Sequence, residues 1–186
     1  MSDRWIVFGL GNPGDQYATT RHNIGQMVTD YLANGTKYST HKSKCLIAEI
    51  RLAGSPVTLA KSTGYMNDSG GPIKALADFY KVPADHIIVI HDEIDIPFNT
   101  LRLKIGGSDN GHNGLKSITK HFATSDYYRI RVGVDRPAIG DPADYVLKPF
   151  SSSEKKELPD FIARSAASVE RLIEKGLEIT QQEFNK

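Results

Sequence analysis

The chain has a single cysteine among its 186 residues, a single tryptophan, and no unbroken apolar run near the roughly 18 residues that a membrane span requires. Cys45 therefore cannot close an internal disulfide, and its apolar surroundings suit a small buried side chain. The N-terminus lacks the basic, apolar and small-residue succession of a signal peptide, so a cytoplasmic location is expected. An excess of charge of one sign is also missing. A formal net charge of +1 excludes a protein that grips nucleic acid by overall positive charge, though it leaves room for a local patch. No internal repeat, low-complexity tract or linker divides the chain, and its length suits one compact domain, residues 1–186.

What charge there is falls unevenly. Between Leu101 and Lys148 there are eight Lys or Arg residues (102, 104, 116, 120, 129, 131, 136 and 148) against five Asp, while the segment after it is slightly acidic. A polyanion is therefore expected to meet the middle of the chain.

The apolar pattern alternates between strands and helices. Trp5 to Phe8 reads as a strand covered on both faces, and Ile24, Met27, Val28, Tyr31 and Leu32 show helical spacing. The runs 46–52 and 57–60, separated by Ala53-Gly54-Ser55-Pro56, predict a hairpin. A second helix is expected with Pro72 in its first turn. Further strands are expected at 86–90, 101–105 and 128–134, the last closing the sheet with basic residues on one side, and a third helix at 115–122. Ser151 to Glu154 offers a helix start, and the stripe from Leu158 to Ile173 runs to Gly176. The expected class is α/β, a three-layer sandwich with a mixed central sheet flanked by helices.

Polar residues gather at four strand ends: Asn12 to His22, Tyr65 to Asn67, His91 to Asp95, and His112-Asn113. In open α/β sheets ligands bind outside the carboxyl ends of the strands, so these segments are expected to share one crevice. Carboxamides can hold a carbonyl or an oxyanion without adding charge, and an imidazole titrating near neutrality can take a proton from water. His22 is the candidate base and Asp92 its orienting carboxylate. Alternation along a strand sets Asp92 opposite His91, Glu93 and Asp95, so that second set, with His112, is an alternative ligand group for zinc or manganese. A third reading makes the Gly-rich loops phosphate cradles. Pro13, however, removes an N–H, and the spacing of Gly9, Gly11 and Gly14 is one residue short of a dinucleotide fingerprint. No Ser lies in a G-x-S-x-G context, so covalent catalysis has no support.

Several blocks together resemble a known family, bacterial-type peptidyl-tRNA hydrolase. They are Gly9-Leu10-Gly11-Asn12-Pro13-Gly14, Tyr17, Thr20 to Gly25, Tyr65-Met66-Asn67, Ser69-Gly70, His91 to Pro97, Lys104, Gly106-Gly107, Gly111 to Leu115 and Arg129 to Gly133. The resemblance implies metal-free, cofactor-free hydrolysis of the ester joining a peptide to the 3′-terminal ribose of tRNA, in a cytoplasmic monomer serving translation and ribosome rescue. It implies His22 as general base, Asp92 as its partner, and Asn12 and Asn67 around the ester and water. Asn113 and His112 would hold substrate, with Tyr17 and Met66 in the wall near the terminal nucleotide. Lys104 and Arg131 would contact the 5′-phosphate beside the acceptor stem and CCA end. No membrane or obligate protein partner is implied. Ser62, Gly64, Asn99 and Asn110 depart from the family's usual proline, threonine, glycine and glycine, and none of the four is among the implied site residues.

Overall fold

A computed structural model describes residues 3–186. Seven strands form one sheet in the order β2-β3-β4-β1-β5-β7-β6. These are β1 (Trp5–Gly9), β2 (Ser39–Thr40), β3 (Cys45–Leu52), β4 (Ser55–Ser62), β5 (Ile87–Glu93), β6 (Leu101–Ile105) and β7 (Tyr128–Gly133). The four inner strands β4, β1, β5 and β7 run parallel, while β2, β3 and β6 pair antiparallel. Strand β7 thus sits inside the sheet rather than closing it, and β6 forms the edge. The apolar side chains of β1 and β5 are covered on both sides, as their unbroken runs require.

Alternate residues of the same strands feed two cores. Val7, Ile88 and Ile90 pack with α1 (Ile24–Ala33) and α5 (Ser152–Lys175). Ile6, Phe8 and Val89 pack with α2 (Gly70–Tyr80) and α3 (Asn113–Phe122) on the other face. Two short helices complete the chain, α4 (Pro142–Val146) and α6 (Leu177–Phe184).

The hairpin turn is tighter than the sequence expectation. Only Ala53 and Gly54 lie outside the strands, at φ +49° and +80°, the left-handed pair that matches strand twist in a two-residue turn. Pro56 is tolerated within β4 because it precedes the first rung to β1, Trp5↔Val57. Helix α5 begins with the capping box that Ser151 and Glu154 promise. The edge strand β6 is capped by the end of the chain, where Asn185 Oδ1 accepts from Leu103 N–H and Gln181 Nε2 donates to Leu103 C=O, at 2.8 and 2.9 Å.

The chain leaves β1 for α1 on one face and later leaves β4 for α2 on the other, so strand order reverses at β1. A crevice opens there, at the carboxyl ends of β1 and β5.

Candidate active site

Asp92 is the penultimate residue of β5 and is 3% exposed, so its carboxylate lies almost entirely out of water. An isolated charge at such depth is costly unless it is paired. Two imidazoles pair it, one on each oxygen: His22 Nδ1 lies 2.8 Å from Oδ2 and His112 Nε2 lies 2.8 Å from Oδ1. Burial pushes the Asp92 pKa up, but the two histidines outweigh it and hold the group well below the usual carboxylate range.

His22 reaches this position because two glycines let α1 press against the sheet. A Cβ on Gly25 would stand 2.2 Å from Ile90 O, and one on Gly9 would stand 2.1 Å from Thr29 Oγ1. The single helical turn 21–23 that precedes α1 then hangs over the end of β5. Burial lowers the His22 pKa, and the charge and hydrogen bond of Asp92 more than reverse this, leaving it above the ordinary value. With Asp92 ionised, the ring proton sits on Nδ1. Nε2 is left for the cleft, without a partner among the described residues.

His112 is held differently. It is the N-cap of α3, and its Nδ1 accepts from Gly114 N–H at 3.1 Å and Leu115 N–H at 3.4 Å. Its proton is therefore on Nε2 and is donated to Asp92. Both ring nitrogens are engaged within the protein, which leaves neither for the substrate contact expected from the sequence. The two rings stand 5.0 Å apart.

Asn12 is oriented with equal definition. Its Oδ1 accepts from Met66 N–H at 2.8 Å, so its amide NH₂ is left as the donor. Asn23, buried and unremarked as a site residue from sequence, clamps the Asn12 backbone. Its Oδ1 accepts from Asn12 N–H and its Nδ2 donates to Asn12 C=O, each at 2.9 Å. The Asn12 N–H is thereby spent, so the first glycine turn does not offer it to a phosphate.

These groups line a cleft of about 600 Å³. Asn12, His22, Met66, Asn67, Asp92, His112 and Asn113 all contribute to its wall. The Asn67 and Asn113 side chains are exposed and make no hydrogen bond among the described residues. Tyr17 stands behind the wall, its ring edge-on to Tyr65 at 6.3 Å. Lys104 and Arg131 lie outside the cleft, on the adjacent strip formed by β6 and β7. Burial and the neighbouring arginines 131 and 129 lower the Lys104 pKa, the signature of cations gathered close together. Arg129 was expected on that basic side but is fully buried, bonding Ser108 and Gly107 carbonyls at 2.8 and 3.2 Å and so shaping the Gly-rich loop.

The opposite wall is the segment 136–147, which includes α4. Arg21 ties it down, donating to Tyr145 C=O at 3.2 Å and Glu154 at 2.9 Å while lying 4.0 Å from the Tyr145 ring centroid. No apolar period marks so short a helix in the sequence.

The alternative metal group does not assemble. His91 turns Nδ1 back to Asp92 C=O, Glu93 holds Arg131 and Asn110, and Asp95 holds Arg136 and Asn110. Among the described residues the donors that do converge are His22, Asp92 and His112, within 4.8 Å of one another. A cation there would have to displace both N–H protons that the carboxylate accepts.

The sequence profile of the family described as "Peptidyl-tRNA hydrolase" matches residues 6–186. The "Peptidyl-tRNA hydrolase" of Pseudarthrobacter chlorophenolicus is 53% identical over 190 residues, covering all of this chain and 97% of that one. Its counterpart in Kineococcus radiotolerans is 50% identical over 195 residues, covering 100% and 98%. The crystal structure of peptidyl-tRNA hydrolase from Acinetobacter baumannii superposes with a TM-score of 0.90 at 30% identity, covering 100% of this chain and 96% of that one. By profile, by relatives and by fold, this chain belongs to the peptidyl-tRNA hydrolase family and is an esterase-type hydrolase.

Proposed function

We propose that the chain hydrolyses the ester between a peptide, or an N-blocked aminoacyl group, and the 3′-terminal ribose of tRNA, with water activated by His22. The observation that carries this reading is the pairing at Asp92: one histidine is locked by a helix cap and the other keeps Nε2 free in the cleft. Water bound to Nε2 gives up a proton as its oxygen attacks the ester carbonyl carbon. The imidazolium formed is stabilised by Asp92, and the Asn12 NH₂, with Asn67 or Asn113, donates to the oxyanion. Collapse of the tetrahedral intermediate breaks the bond to the ribose oxygen, which takes the proton back from His22. Peptide acid and tRNA leave, and the base is regenerated.

An ester is an activated acyl group. A base contributing about 10² to 10⁴ and oxyanion donors contributing about 10² to 10³ each are sufficient for it. Specificity then falls to binding. Met66 and the Tyr17–Tyr65 pair border the terminal nucleotide and the CCA end, while Lys104 and Arg131 take the 5′-phosphate at the end of the acceptor stem. The reaction needs no metal, and the enzyme works as a cytoplasmic monomer.

The test is release of deacylated tRNA from N-acetyl-aminoacyl-tRNA in the presence of EDTA, comparing the unmodified protein with His22→Ala. Turnover in the first and a loss of at least about 10² in the second, with tRNA binding retained, is the expected result. Binding without turnover in the unmodified protein would make it an RNA-binding module instead.

A further inference from the structure

The loop 106–112 carries Asn110 at φ +49°, a left-handed conformation that glycine adopts with less strain. The asparagine supplies what glycine cannot. Its Nδ2 donates to Glu93 Oε2 at 2.9 Å and also to Asp95 Oδ2. An amide NH₂ has two hydrogens, one for each carboxylate. A third carboxylate in its place would repel both, and a hydroxyl has a single hydrogen to give.

Each of those carboxylates holds an arginine with its other oxygen. Glu93 Oε1 accepts from Arg131 Nε at 3.3 Å, so the two terminal guanidinium nitrogens of Arg131 remain without a hydrogen bond among the described residues. An arginine seated through Nε presents that fork to a planar or tetrahedral anion. Asp95 Oδ1 accepts from Arg136 through Nε and Nη2, at 3.2 and 2.6 Å, and Arg136 belongs to the wall segment 136–147. Two residues beyond Asn110, His112 bonds Asp92, and the next residue, Asn113, lines the cleft. One amide therefore touches the supports of the basic strip, the cleft wall and the loop that carries the Asp92 partner.

The geometry points to Asn110 as a positioning residue that couples the phosphate contact at Arg131 and Lys104 to the acyl cleft. This inference rests on the reading of Arg131 and Lys104 as the 5′-phosphate contact. Asn110 transmits fit: a phosphate that orders Arg131 orders Glu93, and through Asn110 the loop ending in His112 and Asn113. Groups in one hydrogen-bond network show coupling worth several-fold in a rate constant.

The experiment measures kcat/KM on N-acetyl-aminoacyl-tRNA with and without its 5′-phosphate, in the unmodified enzyme, Asn110→Gly, Glu93→Gln and the double variant. The readout is the ratio of the two values, in which any general loss of folded enzyme cancels. Asn110→Gly is unstrained at this φ and should lower the ratio by about fivefold, Glu93→Gln should do the same, and the double variant should add little. A ratio well above one in the unmodified enzyme that stays unchanged in Asn110→Gly would overturn the coupling alone. A ratio of one in the unmodified enzyme would remove the phosphate contact, and the coupling with it.

Discussion

The starts of α1 and α3 each bring a histidine to the same carboxylate at the same 2.8 Å, yet they equip the two rings for different work. At α3 the helix itself claims the second nitrogen through two backbone N–H groups, so protonating His112 would break its cap. At α1 the ring lies in the turn before the helix, outside any capping role, and its second nitrogen meets the cleft. What would separate a base from a brace, on the proposed mechanism, is the partner of the far nitrogen, since the distance to Asp92 is the same for both rings.

The comparison breaks most completely at the free ring. His22→Ala should lower kcat/KM by about 10² to 10⁴ in peptidyl-tRNA hydrolysis, because no other group lining the cleft among the described residues offers an unclaimed basic nitrogen at that point. Asp92→Asn should come next, with a loss near 10²-fold, since a carboxamide cannot accept both ring protons as a carboxylate does. Both variants are read from the same steady-state assay, beside a circular dichroism check of folding.

The pH profile sharpens the contrast without removing either ring. The proposed mechanism needs neutral His22, whose pKa is raised, so it predicts that log kcat/KM climbs with pH through one ionisation centred above about 6.5. In Asp92→Asn the midpoint should fall, because the raising influence is gone. His112→Ala should cost about tenfold in activity and about 1 kcal/mol of stability, the usual loss for a helix cap, measured by urea denaturation.

A third histidine gives the smallest effect. His91 is fully buried beside His112 and Arg129, and burial with those neighbours lowers its pKa to about 3. The folded state therefore keeps it neutral while the unfolded chain takes up a proton below about 6.5, and stability drains away as pH falls from there toward 3. In His91→Gln the loss of stability between pH 6.5 and 4 should be shallower than in the unmodified chain, as followed by thermal melts across that range.

Sequence patterns carried much of this. The buried strand at Trp5, the amphipathic period of α1 and the Ser151–Glu154 box are local signals, and each element formed where its signal stood. That His22 and Asp92 meet was also expected, from residue types that suit one chemistry, with Asp92 near the end of β5 and His22 in the turn before α1. The rest depends on contacts distant in sequence. Nothing in the 128–134 run says that Arg129 turns inward to hold the Gly-rich loop while Arg131, two residues on, stays partly exposed. The N-cap role of His112 needs the start of α3 to be known to a residue, and the spacing placed that helix two residues late. The Asn23 clamp lies within the block Thr20 to Gly25, but an amide bonding a backbone eleven residues away leaves no periodic trace. Helices α4 and α6 span 5 and 8 residues, too short for a repeating stripe to declare them.

The seal on β6 has a consequence of its own. An uncovered edge strand invites another chain to extend the sheet, and Gln181 and Asn185 occupy the Leu103 positions at which such an extension would begin. Trimming the chain at Gly176 should therefore leave the chemistry of the cleft in place and make the protein stick to itself as concentration rises.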